Sequence, residues 1–165
     1  MVIGCSGSGK STFSKKLGAI IGLEVLHLDQ HYWKPNWIES TPEEWREKVK
    51  DLSEKDSWIM DGNYSGTWDI RIPRADTIIF LNRSTWQCLK RITSRILKYR
   101  GTERPDMPEG CKERFDAEFY HYVATYNIRN RRKILKRLNS LKDQKEVIIL
   151  KSDEESELFL NELRI

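Results

Sequence analysis

GCSGSGKST, residues 4 to 12, follows a short apolar run, Met1 to Ile3, and precedes a segment with helical spacing. Gly4, four residues, Gly9, Lys10 and Ser11 match G-x-x-x-x-G-K-[ST] in the strand, loop, helix order that gives this motif its meaning. The glycines let the backbone curl so that successive N–H groups, from Ser6 through Gly9, converge with the N-terminus of the next helix. Such a convergence is an anion site suited to a β-phosphate. Lys10 is then expected to reach the β- and γ-phosphates, the Ser11 hydroxyl to ligate Mg²⁺, and Thr12 to touch the α-phosphate. The expected ligand is ATP with Mg²⁺.

Outward from this loop the chain alternates strand and helix. Short β-rich apolar runs stand at 24–28 (EVLHL), 57–61 (SWIMD), 76–81 (DTIIFL) and 146–150 (EVIIL). Between the first two strands, 10–21 places Phe13, Leu17 and Ile20 or Ile21 on one helical face. Three S/T-x-x-E/Q signatures mark further helix starts, at Thr41 with Pro42 in the first turn, at Ser84 and at Ser152. The alternation predicts an α/β fold, a parallel sheet covered on both faces, with ligands bound beyond the carboxyl ends of its strands.

The 165 residues suit one domain with a substantial core. No run of about 18 apolar residues is present for a membrane span, and three residues before the glycine-rich loop leave no room for a signal peptide. A cytoplasmic protein without a membrane partner is expected. Cys5, Cys88 and Cys111 are widely spaced and outside any CxxC pattern, which predicts free thiols. The net charge of +4 is uneven, since residues 84–142 carry 15 Lys/Arg against 6 Asp/Glu. Such a block suits a polyphosphate ligand or a nucleic acid backbone.

Two carboxylates narrow the chemistry. Asp29 follows EVLHL, and Asp61 ends SWIMD within DGNY, so both are expected at the carboxyl edge beside the phosphate loop. Each is suited to binding Mg²⁺ through water, orienting an acceptor hydroxyl or accepting its proton. Each is equally suited to a turn or a helix cap.

The phosphate loop, HLD after the second strand, DGNY after the third, R-x-x-R-A-D before the fourth, and the stretches YWKPNW and YRGTERPDMPEG together resemble the adenylate-kinase-related DNA topology modulation proteins. The resemblance covers nearly the whole chain. It implies a P-loop NTPase of the nucleoside monophosphate kinase type: a five-stranded parallel sheet in order 2-3-1-4-5 flanked by helices, an acceptor-binding insert (29–56) and a lid (100–114). Asn63, Arg71 and Arg74, carried by two of these segments, join Asp29, Tyr32, Trp33 and Lys34 as expected acceptor contacts. One position departs from the pattern: the fourth strand usually ends in an acidic residue, and Asn82 stands there.

Planar guanidinium groups match the charge that develops in phosphoryl transfer. On the helix expected at 85–99, Leu89, Ile92, Ile96 and Tyr99 form one face, and Arg91 and Arg95, an i, i+4 pair, point together from another. Arg100 and Arg104 flank the Gly- and Pro-rich lid, and Arg129, Arg131 and Arg132 lead a helix with Ile134, Leu135, Leu138 and Leu141. In adenylate kinases arginine clusters before and after the lid close on the phosphates, which assigns Arg95 and Arg132 to catalysis and Arg91, Arg100 and Arg129 to the nucleotide.

The aromatic loop LDQHYWKPNW, residues 28–37, has two readings. Tyr32, Trp33 and Trp37 form a wall for a flat acceptor, or they cap the core under the helix that starts at Thr41. Trp58 and Trp86 read as core, His27 as packing, and His31 as the histidine to test for acid–base work. Two functions remain: an ATP-dependent phosphotransferase acting on a small metabolite or nucleotide, and a nucleotide-regulated nucleic-acid-binding protein. No helix-turn-helix, zinc finger or single-strand aromatic platform is recognisable.

Overall fold

The computed structural model describes residues 1–103 and 107–164; Arg104, expected in the lid cluster, lies outside the described residues. Five parallel strands, β1 (Val2–Gly4), β2 (Val25–His27), β5 (Ile59–Asp61), β6 (Thr77–Leu81) and β7 (Glu146–Leu150), form one sheet in the order β2-β5-β1-β6-β7. Counting only these strands, the order is 2-3-1-4-5, as expected. β3 (Trp33–Lys34) and β4 (Ile38–Glu39) make a small antiparallel hairpin outside it.

Side-chain alternation along the central strands divides the core. Ile3, Ile78 and Phe80 face α5 (Thr85–Tyr99), α6 (Ala117–Tyr126) and α7 (Arg132–Asn139), where they meet Ile92, Val123 and Leu138. Val2, Ile79 and Leu81 point the other way, to Phe13 and Leu17 of α1 (Lys10–Ile21) and Leu160 of α8 (Asp153–Glu162). A third cluster joins Leu26, Leu28 and Met60 to Trp45 and Val49 of α3 (Pro42–Ser53). Each such side chain, fully buried, contributes roughly 1.5–3 kcal/mol, so the helical cover on both faces is set by the period-two pattern of the strands.

The expected caps hold α3 and α5. Thr41 and Glu44 close a reciprocal capping box, and so do Ser84 and Gln87. At α8 the box is incomplete. Ser152 accepts from Glu155 N, but the Glu155 carboxylate turns to Lys151 N, one residue before the cap.

The segment 28–37, which shows no sequence period, contains α2 (Leu28–Tyr32) and then the β3–β4 hairpin around a tight turn at Pro35–Trp37. Asn36 and Trp37 both have φ near +64°, at 64° and 63°, a left-handed backbone that a bulky residue seldom adopts. Helix α6 runs into α7 through a π turn, Asn127–Arg131. One expectation fails here: Trp86, read as core, is 73% exposed on α5. Trp86 lies on the face opposite the buried stripe Cys88, Ile92 and Ile96, since two residues along a helix turn the side chain by about 200°.

Candidate active site

Strand register makes the carboxyl edge level. Gly4 pairs with Leu81, His27 with Asp61, and Leu81 with Leu150. The phosphate loop, Asp29, Asn63 and Asn82 therefore leave the sheet at one edge.

The loop has the curl its glycines predict. Gly7 (φ 78°) and Gly9 (φ 93°) are left-handed, and a Cβ at Gly7 would stand 2.5 Å from the Cys88 carbonyl oxygen of α5. Lys10 arches back over the loop, its Nζ donating to Cys5 O at 3.0 Å. Ser8 O accepts from Arg91 Nη1 at 3.1 Å, while Ser8 Oγ is buried beside Gly4 with no hydrogen-bond partner among the described residues. Ser6 and Ser11 are half-buried and Thr12 is exposed at the start of α1. The three cysteines are free and buried. Cys5 and Cys88 hydrogen-bond each other beneath the loop, which pushes the Cys5 thiol up and the Cys88 thiol down.

The two carboxylates occupy different surroundings. Asp61 is 4% exposed, and its Oδ2 lies 2.7 Å from His27 Nδ1 on the neighbouring strand. An ionised carboxylate only accepts, so His27 Nδ1 carries the proton in that bond. His27 is thus buried, as expected, but also orients Asp61, a role visible only through the β2–β5 register. Asp29 is half-buried on α2 and accepts from the Tyr64 hydroxyl at 2.6 Å. Burial, followed by the Asp29 charge, pushes the Tyr64 phenol above its usual range, so it remains a donor.

Several expected acceptor contacts are engaged with the protein itself. Asn63 accepts from Gly4 N at 3.2 Å and donates to the Tyr126 hydroxyl, tying the DGNY loop to the phosphate loop and α6. Arg71, on α4 (Trp68–Arg74), is a correction: it is 0% exposed and donates to Gly62 O, Asn63 O, Tyr64 O and Thr67 Oγ1. Burial pushes its guanidinium down to about 10. Arg74 is exposed at the end of α4. Its Nε donates to Ser53 O at the end of α3, because α4 runs away from the carboxyl edge toward the start of β6. Lys34 pairs with Glu44 at 2.6 Å.

The aromatic loop divides between its two readings. Tyr32 packs on Trp45 of α3 and on Tyr64. Trp33 and Trp37 instead pack on each other edge to face, and Trp37 Nε1 donates to Lys112 O at 3.0 Å. Cys111 Sγ donates to Lys34 O, so the hairpin tip rests on the far arm of the 100–114 segment. The base of that segment is closed by Gly101 N to Glu113 O and Glu113 N to Thr102 O. His31 lies on α2, two residues after Asp29. Its ring has Lys48, Lys55 and Glu24 as neighbours, and burial, then Lys48, lowers its pKa.

The arginines of the expected clusters also part ways. Arg91 joins Ser8 O to Asp153, whereas Arg95 pairs with the buried Glu113 at 3.1 Å and lies over the Phe119 ring. Arg100, Arg129 and Arg132 are exposed. Arg131 is the arginine of the second cluster brought to the sheet edge, its Nε donating to Asn82 Oδ1 at 3.0 Å. The π turn carries an extra residue per turn, so an α-helical phase misplaces all three. Tyr64, Tyr122 and Tyr126 were not singled out in the sequence. DGNY itself carries Tyr64, and the i, i+4 spacing of the other two is the signal for α6.

Among the described residues no group of three or more His, Cys, Asp or Glu is arranged to hold a metal, and no helix is long and apolar enough to cross a membrane.

No protein-family model matches the chain, and no curated protein does. Among solved structures it is similar to deoxyadenosine kinase from M. mycoides with bound dATP, at 17% identity and TM-score 0.54, covering 99% of this chain and 98% of that one. The same kinase with the products dCMP and a flexible dCDP bound aligns at 16% identity and TM-score 0.50, covering 98% and 96%. The chain therefore has the α/β fold of the P-loop nucleoside kinases, a five-stranded parallel sheet flanked by helices.

Proposed function

We propose that this protein is an ATP-dependent phosphotransferase that carries the γ-phosphoryl group to a small acceptor. The observation that carries the reading is the convergence, at one edge of a parallel sheet, of a complete phosphate loop with two carboxylates, each oriented by its own hydrogen-bond partner, Asp29 by Tyr64 and Asp61 by His27. The fold shared with nucleotide-binding kinases supports it.

In this reading the loop from Gly4 to Thr12 cradles the phosphates through backbone N–H groups, and Lys10 leaves Cys5 O to meet the β- and γ-oxygens. Mg²⁺ takes few protein ligands and keeps several waters, which the half-buried Ser11 hydroxyl beside the cradle fits. When bound, it neutralises charge on the bridging oxygens. Ser8 Oγ offers the cradle a further donor. Asp29 is the group an acceptor hydroxyl can reach, and Asp61, held by His27, orients the edge beside it. Arg91 sits at the loop, and Arg95, Arg100, Arg129 and Arg132 supply cations around the 100–114 segment, which acts as the lid opposite the 29–56 insert. YWKPNW and RPDMPEG support placing the chain with the DNA topology modulation proteins.

The test is ATP turnover with a metabolite library and Mg²⁺, read as mass gains of one phosphate. Lys10→Ala is expected to abolish turnover with unchanged circular dichroism. Unchanged turnover in that variant would overturn the assignment.

A further inference from the structure

We infer that the hydroxyl of Tyr122 on α6 donates a hydrogen bond to the γ-phosphoryl group as that group passes from the phosphate loop toward an acceptor at Asp29. The inference rests on the phosphotransferase reading and adds an uncharged donor to the cations of that site.

The Asn63 amide fixes the donor. A backbone N–H can only donate, so the Asn63 atom 3.2 Å from Gly4 N is the oxygen, and the NH₂ group faces away from the loop, toward α6. There it donates to the Tyr126 hydroxyl and also bonds the hydroxyl of Tyr122, one turn earlier on the same face of the helix. The two rings stand edge to face, their centroids 5.7 Å apart. Each phenol oxygen is therefore an acceptor toward Asn63, which leaves each O–H proton to point elsewhere. The two tyrosines differ in what can reach that proton. Tyr126 is 1% exposed and belongs to the core cluster beneath α6, whereas Tyr122 is 41% exposed and stands outside that cluster. Packing accounts for the first ring and not for the second.

Tyr122 also stands where the two sides of the site meet. Its neighbours are Cys5, the second residue of the phosphate loop, and Asp29 and Tyr64 across from it. Cys5 O holds Lys10 Nζ at 3.0 Å, and the Tyr64 hydroxyl donates to Asp29 at 2.6 Å. A phosphoryl group that leaves the loop for an oxygen beside Asp29 crosses the interval that Tyr122 borders. Burial, the leading cause, holds the Tyr122 phenol above its usual range, so it stays protonated and remains a donor. A donor already oriented by Asn63 meets charge as it develops on the phosphoryl oxygens, without reorganising at that moment. In the reaction the acceptor hydroxyl oxygen bonds to the γ-phosphorus as the bond from that phosphorus to the β,γ-bridging oxygen breaks. The acceptor proton passes to Asp29, ADP leaves, and Tyr122 keeps its own proton throughout.

The experiment compares wild type with Tyr122→Phe, which keeps the ring against Tyr126 and removes only the hydroxyl. Calorimetric titrations use Mg-ADP and the Mg-bound β,γ-imido analogue of ATP, so that the ratio of the two affinities reports the γ-phosphoryl group alone. The expected result is an unchanged ADP affinity and an analogue affinity lowered about tenfold or more, the scale of a hydrogen bond to a charged group. Wild-type protein carrying ¹³C at the tyrosine ζ carbons gives a second readout that needs no variant, a resonance that shifts with the analogue and not with ADP. Equal weakening of both ligands in the variant, or no change in either, makes Tyr122 a packing residue and overturns the inference while the kinase reading stands. A tyrosine spectrum that answers the analogue no differently from ADP overturns it as well. Wild type that binds neither nucleotide overturns the kinase reading beneath it.

Discussion

Arg71→Met separates the two roles this arginine can have, acceptor contact or loop scaffold. The methionine keeps most of the buried stem but removes every donor. Gly62, Asn63 and Tyr64 then lose the partners that sit 3.0, 2.6 and 2.9 Å from the guanidinium, and Thr67 Oγ1 loses one at 3.2 Å. Hydrogen bonds to charged groups are worth roughly 1.5–3 kcal/mol each, and every buried carbonyl left without a partner costs about 1–3 kcal/mol. Against this, burial already disfavours the cation, as its lowered pKa of about 10 shows, so removing the charge recovers part of the loss. The balance is a destabilisation of about 3–4 kcal/mol, which for a chain of this size lowers Tm by roughly 8–14 °C. Urea unfolding at pH 7 with an unchanged m-value measures it. Arg74→Ala, which loses a single bond to Ser53 O, should cost only about 1 kcal/mol. Turnover by Arg71→Met should fall through kcat, because Asn63 lies on the loosened loop and Asp61 ends the strand that feeds it, with little change in acceptor KM. Stability within about 1 kcal/mol of wild type, together with a tenfold or larger rise in acceptor KM, would refute the scaffold role.

Three other outcomes follow from the same geometry. Asp29→Asn and Asp61→Asn should each lower turnover with acceptor by about 10²-fold or more, the scale of acid–base contributions, with ATP affinity far less changed; near wild-type rates in both would make these carboxylates turn residues. Trp37→Phe keeps a ring but removes the donor to Lys112 O, and a loss of about 1 kcal/mol should raise protease cleavage within 100–114 roughly fivefold under conditions where opening precedes cutting; an unchanged cleavage rate would show that this contact does not hold the segment. Because the His31 pKa is lowered in the folded state, the unfolded chain binds more protons just below pH 6.5, so stability falls as pH drops from 6.5 toward the folded value. His31→Gln should flatten the urea-midpoint profile in that window, and an identical slope in the variant would place the titration elsewhere.

The local signals in the sequence read well because their physics is local. GCSGSGKST needs only its own glycines and the helix that follows to make an anion cradle, and the Thr41 and Ser84 boxes are closed by residues three apart. The alternation of short apolar runs with capped helices was enough for a parallel α/β sheet, and the family resemblance supplied its order. Asp29 and Asp61 were legible as edge residues because each ends or follows a strand.

What the sequence left open depends on partners distant along the chain. His27 finds Asp61 only because β2 and β5 pair in register across 34 residues. Arg71 looks like any exposed arginine until the DGNY loop folds its carbonyls around it, and Arg95 and Arg91, aligned by helix spacing, are pulled apart by Glu113 and Asp153. Arg131, and not its neighbours, reaches Asn82 because a π turn shifts the helical phase. Composition and spacing state which charges a chain has. Only tertiary packing decides which are neutralised by the protein and which stay available to a ligand, because desolvation and Coulomb attraction act through distances in space rather than along the sequence.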